Sequence, residues 1–200
     1  MKTRTQQKKL DKLDLSQFKL LPSAKPPLFH GSTIRKTAQY LWTKKIRPAV
    51  LDQYARTCSV CGWVPENETE IKRLHLHEIE EYDFKNKVCH LRGIELICLK
   101  CHSFHHIVRT KAVSTKEQWE DLMQHFIKVN DCSPAIIEDF EWIISQSLQQ
   151  DSNLQSRGEM SWDELRDLAD KPVSFTISPD VPFAEELTKT IANKRLLYQE

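Results

Sequence analysis

Two short cysteine knuckles constrain this chain more than any other feature. CSVCGW carries Cys58 and Cys61, and LICLKCHSFHH carries Cys98 and Cys101. Each C-x-x-C turn lets two thiolates converge on an ion from one side, so the two pairs can close a single tetrahedral zinc site. The remaining two of the six cysteines, Cys89 and Cys132, share no spacing that suggests a disulfide framework, and they read as small buried apolar residues. The stretch between the knuckles is longer than a minimal zinc ribbon needs. It holds LHLHEIEEYDF, a run of histidines and carboxylates in place of turn residues, and this insert is where chemistry is expected.

Local patterning supplies the elements around that insert. Leu74 and Leu76 alternate with His75 and His77, which is the period of a strand. KVCHLRGIELICL reads as a second strand returning to the second knuckle, with DFKNK as the hairpin turn. CHSFHHIVR then reads as a helix whose first turns carry His102, His105 and His106. Upstream, Ile34, Tyr40, Leu41, Ile46, Val50, Leu51 and Tyr54 recur at helical intervals interrupted by Pro48, which predicts one or two helices. Downstream, Thr115 to Val129 predicts a helix with Trp119, Leu122, Met123 and Phe126 on one face. Ser133 and Pro134 start a second helix, AIIEDFEWIISQSL. The S-x-x-E form at Ser161 starts a short helix, VSFTI suggests a strand, and an amphipathic helix runs from Phe183 to Leu197. The expected class is α+β and mostly helical, built on one core.

Charge is lopsided although the net is only +1. Residues 1 to 50 hold twelve Lys and Arg against Asp11 and Asp14, whereas from Pro134 onward thirteen Asp and Glu face six Lys and Arg. A basic first quarter suits phosphates or a solvated tail, and Lys44, Lys45 and Arg47 are the candidate nucleic-acid contacts. The acidic last third suits a protein partner or self-association through its helices. No run of about eighteen apolar residues offers a membrane span, and MKTRTQQKKL lacks the apolar core of a signal peptide. A cytoplasmic protein without membrane contact is expected. The expected organisation is a basic flexible arm over 1–32, the knuckle-bearing unit over 33–112, packing helices over 113–150 and an acidic C-terminal extension over 151–200. Leu13, Leu15, Phe18, Leu20 and Leu21 leave open whether the arm docks or stays solvated.

His102 and His106 stand four apart, so on one helix their imidazoles share a face and can grip one metal. His77, with Glu78 beside it, lies on the strand that the knuckles hold near that helix and offers a third ligand or a general base. Such a site leaves open positions for water and a phosphate oxygen.

The stretch from about Ile46 to His106 resembles the HNH endonucleases. The lead-in IRPAVLDQYARTCSVCG, the box LHLHE and the L-C-x-x-C-H-x-x-x-H form of LICLKCHSFHH carry the likeness, and His77, Glu78, Tyr82 and Asp83 in H-E-x-x-x-Y-D resemble a variant branch. The resemblance implies a zinc-stapled ββα-metal core with flanking helices. It also implies a metal-dependent endonuclease that hydrolyses phosphodiester bonds in DNA, with structural Zn2+ and a catalytic Mg2+, Mn2+ or Ni2+. His77 or Glu78 would activate water, and His77, His102, His106 and Asp83 would form the metal shell. The sequence departs from the family in having Glu78 after His77 and Gly93 where an Asn is expected, which implies slow cleavage. The alternative is a catalytically silent zinc-binding module that binds nucleic acid or a protein partner.

Overall fold

The computed structural model describes residues 14–23, 25–31, 33–150 and 162–199. Its centre is the antiparallel hairpin of β1 (Leu74–Asp83) and β2 (Val88–Cys98). The turn between them is set by Asp83, whose carboxylate accepts from Asn86 N at 3.1 Å and Nδ2 at 2.7 Å, while Lys87 takes the left-handed conformation. Register runs from Leu74 opposite Cys98 to Asp83 opposite Val88. It slips once, between Ile79 and Glu80, where Arg92 is the extra residue of a bulge. Alternation buries Leu74, Leu76, Ile94 and Leu96 on one face and leaves His75, His77 and Glu95 on the other.

The helical segments take the order expected of them, with differences of detail. The run before the first knuckle consists of α1 (Ile34–Thr37), α2 (Gln39–Leu41), a π-helical turn (Trp42–Ile46) and α3 (Arg47–Gln53). Pro48 does not interrupt it. The ring sits in the first turn of α3, and the wider π turn ahead of it absorbs the missing N–H. After β2 come α4 (Leu99–Phe104) and α5 (Ile107–Val113), which are two helices and not the single one expected from CHSFHHIVR. Helix α6 (Lys116–Asn130) opens with a capping box: Thr115 Oγ1 accepts from Gln118 N, and Gln118 Oε1 accepts from Thr115 N. Ser133 and Pro134 then begin a 3₁₀ turn, Pro134–Asp139, before α7 (Phe140–Gln150). The ring of Phe126 lies 5.5 Å from Phe104, 5.0 Å from Phe140 and 5.7 Å from Phe18, so these helices close over the sheet through one aromatic cluster.

Both ends of the described chain join this body. Helix α8 (Trp162–Ala169) precedes β3 (Ser174–Ile177), which pairs in parallel with β2 and makes β2 the central strand; α9 (Ala184–Asn193) follows. Val173, Phe175, Val181, Leu187 and Ile191 belong to the same hydrophobic core as Leu15 and Phe29. Residues 162–199 are therefore built into the fold, not appended to it, because β2 needs a neighbour on its second edge and Phe175 is fully buried there. Likewise, residues 14–23 and 25–31 dock instead of forming part of a flexible arm. Leu20 N donates to Asn130 Oδ1 at 2.9 Å, Asn130 Nδ2 returns a bond to Leu20 O at 3.0 Å, and Leu15, Leu20 and Phe29 are buried. The rest of that predicted arm, residues 1–13, and the capping serine Ser161 lie outside the described residues. No helix among the described residues is long and apolar enough to cross a membrane.

Candidate functional site

The first knuckle is a tight turn after α3. Cys58 N donates to Trp63 O, and Gly62, at a φ of 72° that favours glycine, donates to Cys58 O at 3.0 Å. Ser59 N donates to Leu96 O at 2.8 Å, which lays this turn against the end of β2 where the second knuckle begins. The four thiol sulfurs of Cys58, Cys61, Cys98 and Cys101 lie within 4.8 Å of one another. A tetrahedral zinc with bonds of about 2.3 Å sets its sulfurs about 3.8 Å apart, and Cys61 Sγ stands 3.6 Å from Cys98 Sγ. Backbone amides complete the fit: Cys98 N donates to Cys58 Sγ at 3.2 Å, and Cys101 N to Cys98 Sγ at 3.5 Å. Contact with Cys101 draws the Cys61 thiol far down and brings Cys58 to about 6, while Cys101 is pushed up, first by Cys58. Four thiols this close cannot all ionise unless a cation lies among them. These four cysteines could hold a zinc ion.

Beyond that cluster, β1, β2 and the α4–α5 junction enclose a pocket of about 340 Å³ lined by His77, Glu78, Glu95, His102, His105 and His106. His77 lies directly across the strand pair from Glu95, and the His105 ring stacks on His77 with centroids 3.7 Å apart. The nitrogen and carboxylate donors of His77, Glu95 and His105 lie within 4.8 Å of one another. His105 Nδ1 is 2.7 Å from Ser23 Oγ, whereas His105 Nε2 is buried with no hydrogen-bond partner and faces Glu95 Oε1 at 4.0 Å. When Nδ1–H donates to Ser23 Oγ, Nε2 presents a lone pair. Burial, reinforced by the neighbouring imidazoles, pushes His77 down to about 2, His102 to about 3 and His105 to about 4. These rings are therefore neutral at neutral pH, the state a metal ligand requires. Burial raises Glu95, an effect that Ser59 Oγ–H opposes by donating to Glu95 Oε2 at 3.0 Å. His77, Glu95 and His105 could hold a metal ion.

The residues singled out from sequence fall into three groups. His77, His102 and His106 do meet: His102 lies edge-on to His77 at 5.8 Å and to His106 at 4.8 Å, and it stacks on His75 at 4.8 Å. They do so without the helical four-residue spacing, because α4 ends at Phe104 and His106 has non-helical torsions of −130° and 33°. His102 and His106 flank the convergent trio and do not belong to it. Glu78 follows His77 on a strand and so points to the opposite face, where Arg35 takes its carboxylate at 2.7 and 3.2 Å. Because β1 is the edge strand, the pocket wraps round it and Glu78 still lines one side.

Asp83 is not brought to the pocket. It sits at the hairpin turn, six positions and about 20 Å along β1 from His77, bonded to Asn86. Arg47 is also not an outward phosphate contact, since its guanidinium donates to Leu74 O at 3.1 Å and Ile71 O at 3.2 Å and ties α3 to the start of β1. Lys45 pairs with Glu186 at 2.6 Å, and Lys44 is exposed. Sequence reasoning passed over Glu95 and gave His105 no role. Comparison with protein-family models, curated proteins and solved structures finds no match for this chain.

Proposed function

We propose that this protein is a metal-dependent phosphodiesterase of the HNH type that cuts DNA slowly. The observation that carries the proposal is the convergence of His77, Glu95 and His105 on one point, with His105 Nε2 buried and unpartnered. The order hairpin, four-cysteine staple, helix, together with the closing LICLKCHSFHH, agrees with the ββα-metal plan that the sequence resembles.

His77, Glu95 and His105 would hold the ion, and the ion would polarise a phosphoryl oxygen and stabilise the departing oxyanion. Ser23 fixes the His105 ring and its tautomer. Of the two imidazoles outside the ligand set, His102 is held down at about 3 by burial and is a weak base, so His106 is the one that would accept a proton from water, while Glu78 is committed to Arg35. Lys25 and Arg35 stand in the wall next to the imidazoles, each paired with a carboxylate, Glu80 and Glu78, so an entering phosphate would have to compete with those carboxylates for them.

The test is plasmid nicking in Mg2+, Mn2+ and Ni2+ by wild type and by His77→Ala, Glu95→Gln, His105→Ala and His106→Ala, with zinc content measured for each. Activity should vanish in the three ligand variants and fall in His106→Ala while zinc stays bound. Wild type that nicks in none of these metals, or nicking that survives every substitution, removes the proposal. The Glu78–Arg35 pairing specifically favours a second reading, a silent zinc-binding module, because it ties up the residue next to His77; the absence of any nicking would favour that reading.

A further inference from the structure

A cleft of about 820 Å³ lies on the outer side of the four-cysteine cluster and shares no lining residue with the histidine pocket. Lys19, Arg73, Lys100 and Lys128 line it, with Asp121 as the one carboxylate among the lining side chains. These cations come from four different places: the docked N-terminal segment, the entry to β1, α4 and α6. A solvated helix face would supply its lysines from a single element, so folding is what assembles this group. The Leu20–Asn130 bond pair holds Lys19 beside the end of α6, where Lys128 projects. Lys100 is paired with Asp121 at 2.7 Å and Arg73 with Glu70 at 3.0 Å. Lys19 and Lys128 are exposed and have no ion pair among the described residues.

Between the cations the lining includes the apolar side chains of Val60, Trp63, Leu99 and Val129, with Gln124 and His125 beside them. Leu99 remains 50% exposed at the first turn of α4, and Trp63 is only partly buried. A cationic rim around an aromatic and aliphatic floor matches a repeating unit that alternates an anion with a flat, stackable ring. An acidic peptide supplies the anions but not the rings.

We infer that this cleft binds a single nucleic-acid strand, with Lys19, Lys128 and Arg73 on the phosphates and Trp63 against a base. The binding is separate from whatever the histidine pocket does, and is measured without added divalent ion so that cleavage does not enter. A short fluorescein-labelled single-stranded oligonucleotide is titrated with the full-length zinc-loaded protein across a salt series. Lys19→Gln/Lys128→Gln should lower the slope of log affinity against log salt by about 1.4, from two phosphate contacts at about 0.7 each. Lys85→Gln/Lys189→Gln, at two exposed lysines that do not line the cleft, should leave it unchanged. Trp63→Leu should weaken binding roughly five- to 150-fold, the effect of one lost stacked base, and Trp63→Phe should restore most of it. An unchanged slope in the Lys19/Lys128 variant with its zinc intact overturns the inference. So does binding of polyglutamate that matches or displaces the oligonucleotide, which would assign the cleft to an acidic protein segment.

Discussion

Replacing Cys61 by serine isolates what the ion contributes from what the thiol contributes by packing. Cys61 is the only one of the four cysteines that is not buried, and serine is close to it in size, so the substitution alone should cost little through the core. What it removes is one of four thiolates. Structural zinc sites bind with an apparent free energy of about 10–16 kcal/mol, so an even share for one ligand is about 2.5–4 kcal/mol. In a chain of this length each kcal/mol moves the melting temperature by about 2–4 °C, which gives a fall of about 5–16 °C. The loss should concentrate in the first knuckle, because that turn is held to β2 by little besides the sulfurs and the bonds of Ser59 to Leu96 and Glu95. Differential scanning fluorimetry on protein of measured zinc content reads the first quantity, and hydrogen exchange on residues 57–63 reads the second. A Cys61→Ser protein that melts with wild type, or a wild type whose melting is indifferent to a strong zinc chelator, would refute the reasoning.

Two further outcomes follow from the packing and the buried charges. Phe126 is fully buried with three rings within 5.7 Å, so Phe126→Ala should cost about 3–5 kcal/mol in urea unfolding, and a loss below about 1 kcal/mol would mean the aromatic cluster does not hold α6 and α7 to the sheet. Lys25→Met strands the 7%-exposed Glu80 carboxylate with Tyr82 as its hydrogen-bond donor and should cost about 3 kcal/mol, most of it recovered by Lys25→Met/Glu80→Leu; a double variant as unstable as the single would show that the lysine acts through packing alone. At the histidine pocket, Glu95→Gln or His105→Ala should abolish Mn2+ uptake measured by calorimetry with zinc retained, and Ser23→Ala should weaken it by about 10- to 100-fold; full uptake by His105→Ala would reject the ligand set.

The knuckles, the hairpin and α6 were legible because each rests on a local rule. C-x-x-C spacing predicts a converging pair of thiols, alternation of Leu74 and Leu76 with His75 and His77 predicts a strand, and the spacing of Trp119, Leu122, Met123 and Phe126 predicts a helix. The docking of residues 14–23 and 25–31 was not legible, since Leu15, Leu20 and Phe29 are apolar without a period, and what fixes them is tertiary: Asn130 bonding both backbone groups of Leu20. Arg47 misled for a similar reason. On a helical projection it is an outward cation, and only the fold brings the carbonyls of Ile71 and Leu74 within its reach. The C-terminal strand was visible as VSFTI, but a short alternating run says nothing about which edge it will join.

Glu95 escaped for a more instructive reason. Counting back from the Asp83–Val88 pair along a regular hairpin sets His77 opposite Ile94, with Glu95 turned to the other face. The bulge at Arg92 shifts β2 by one residue and thereby changes which face each of its side chains occupies, so that Glu95 comes across from His77 while Leu91, Ile94 and Leu96 stay together in the core. The second ligand depends on a second irregularity. Had α4 continued through CHSFHHIVR, His102 and His106 would have formed the pair facing β1. The break after Phe104 instead lets His105 turn back onto His77 and leaves room for Ser23 to hold its other nitrogen. Both departures from regular structure thus fall at the same pocket, and each exchanges a residue that periodicity would place there for one that it would not. A local rule broken at one point is an accident of packing, but two broken at the points where a carboxylate and an imidazole are brought to a common focus argue that the pocket, more than the regularity of strand or helix, is what this part of the fold maintains.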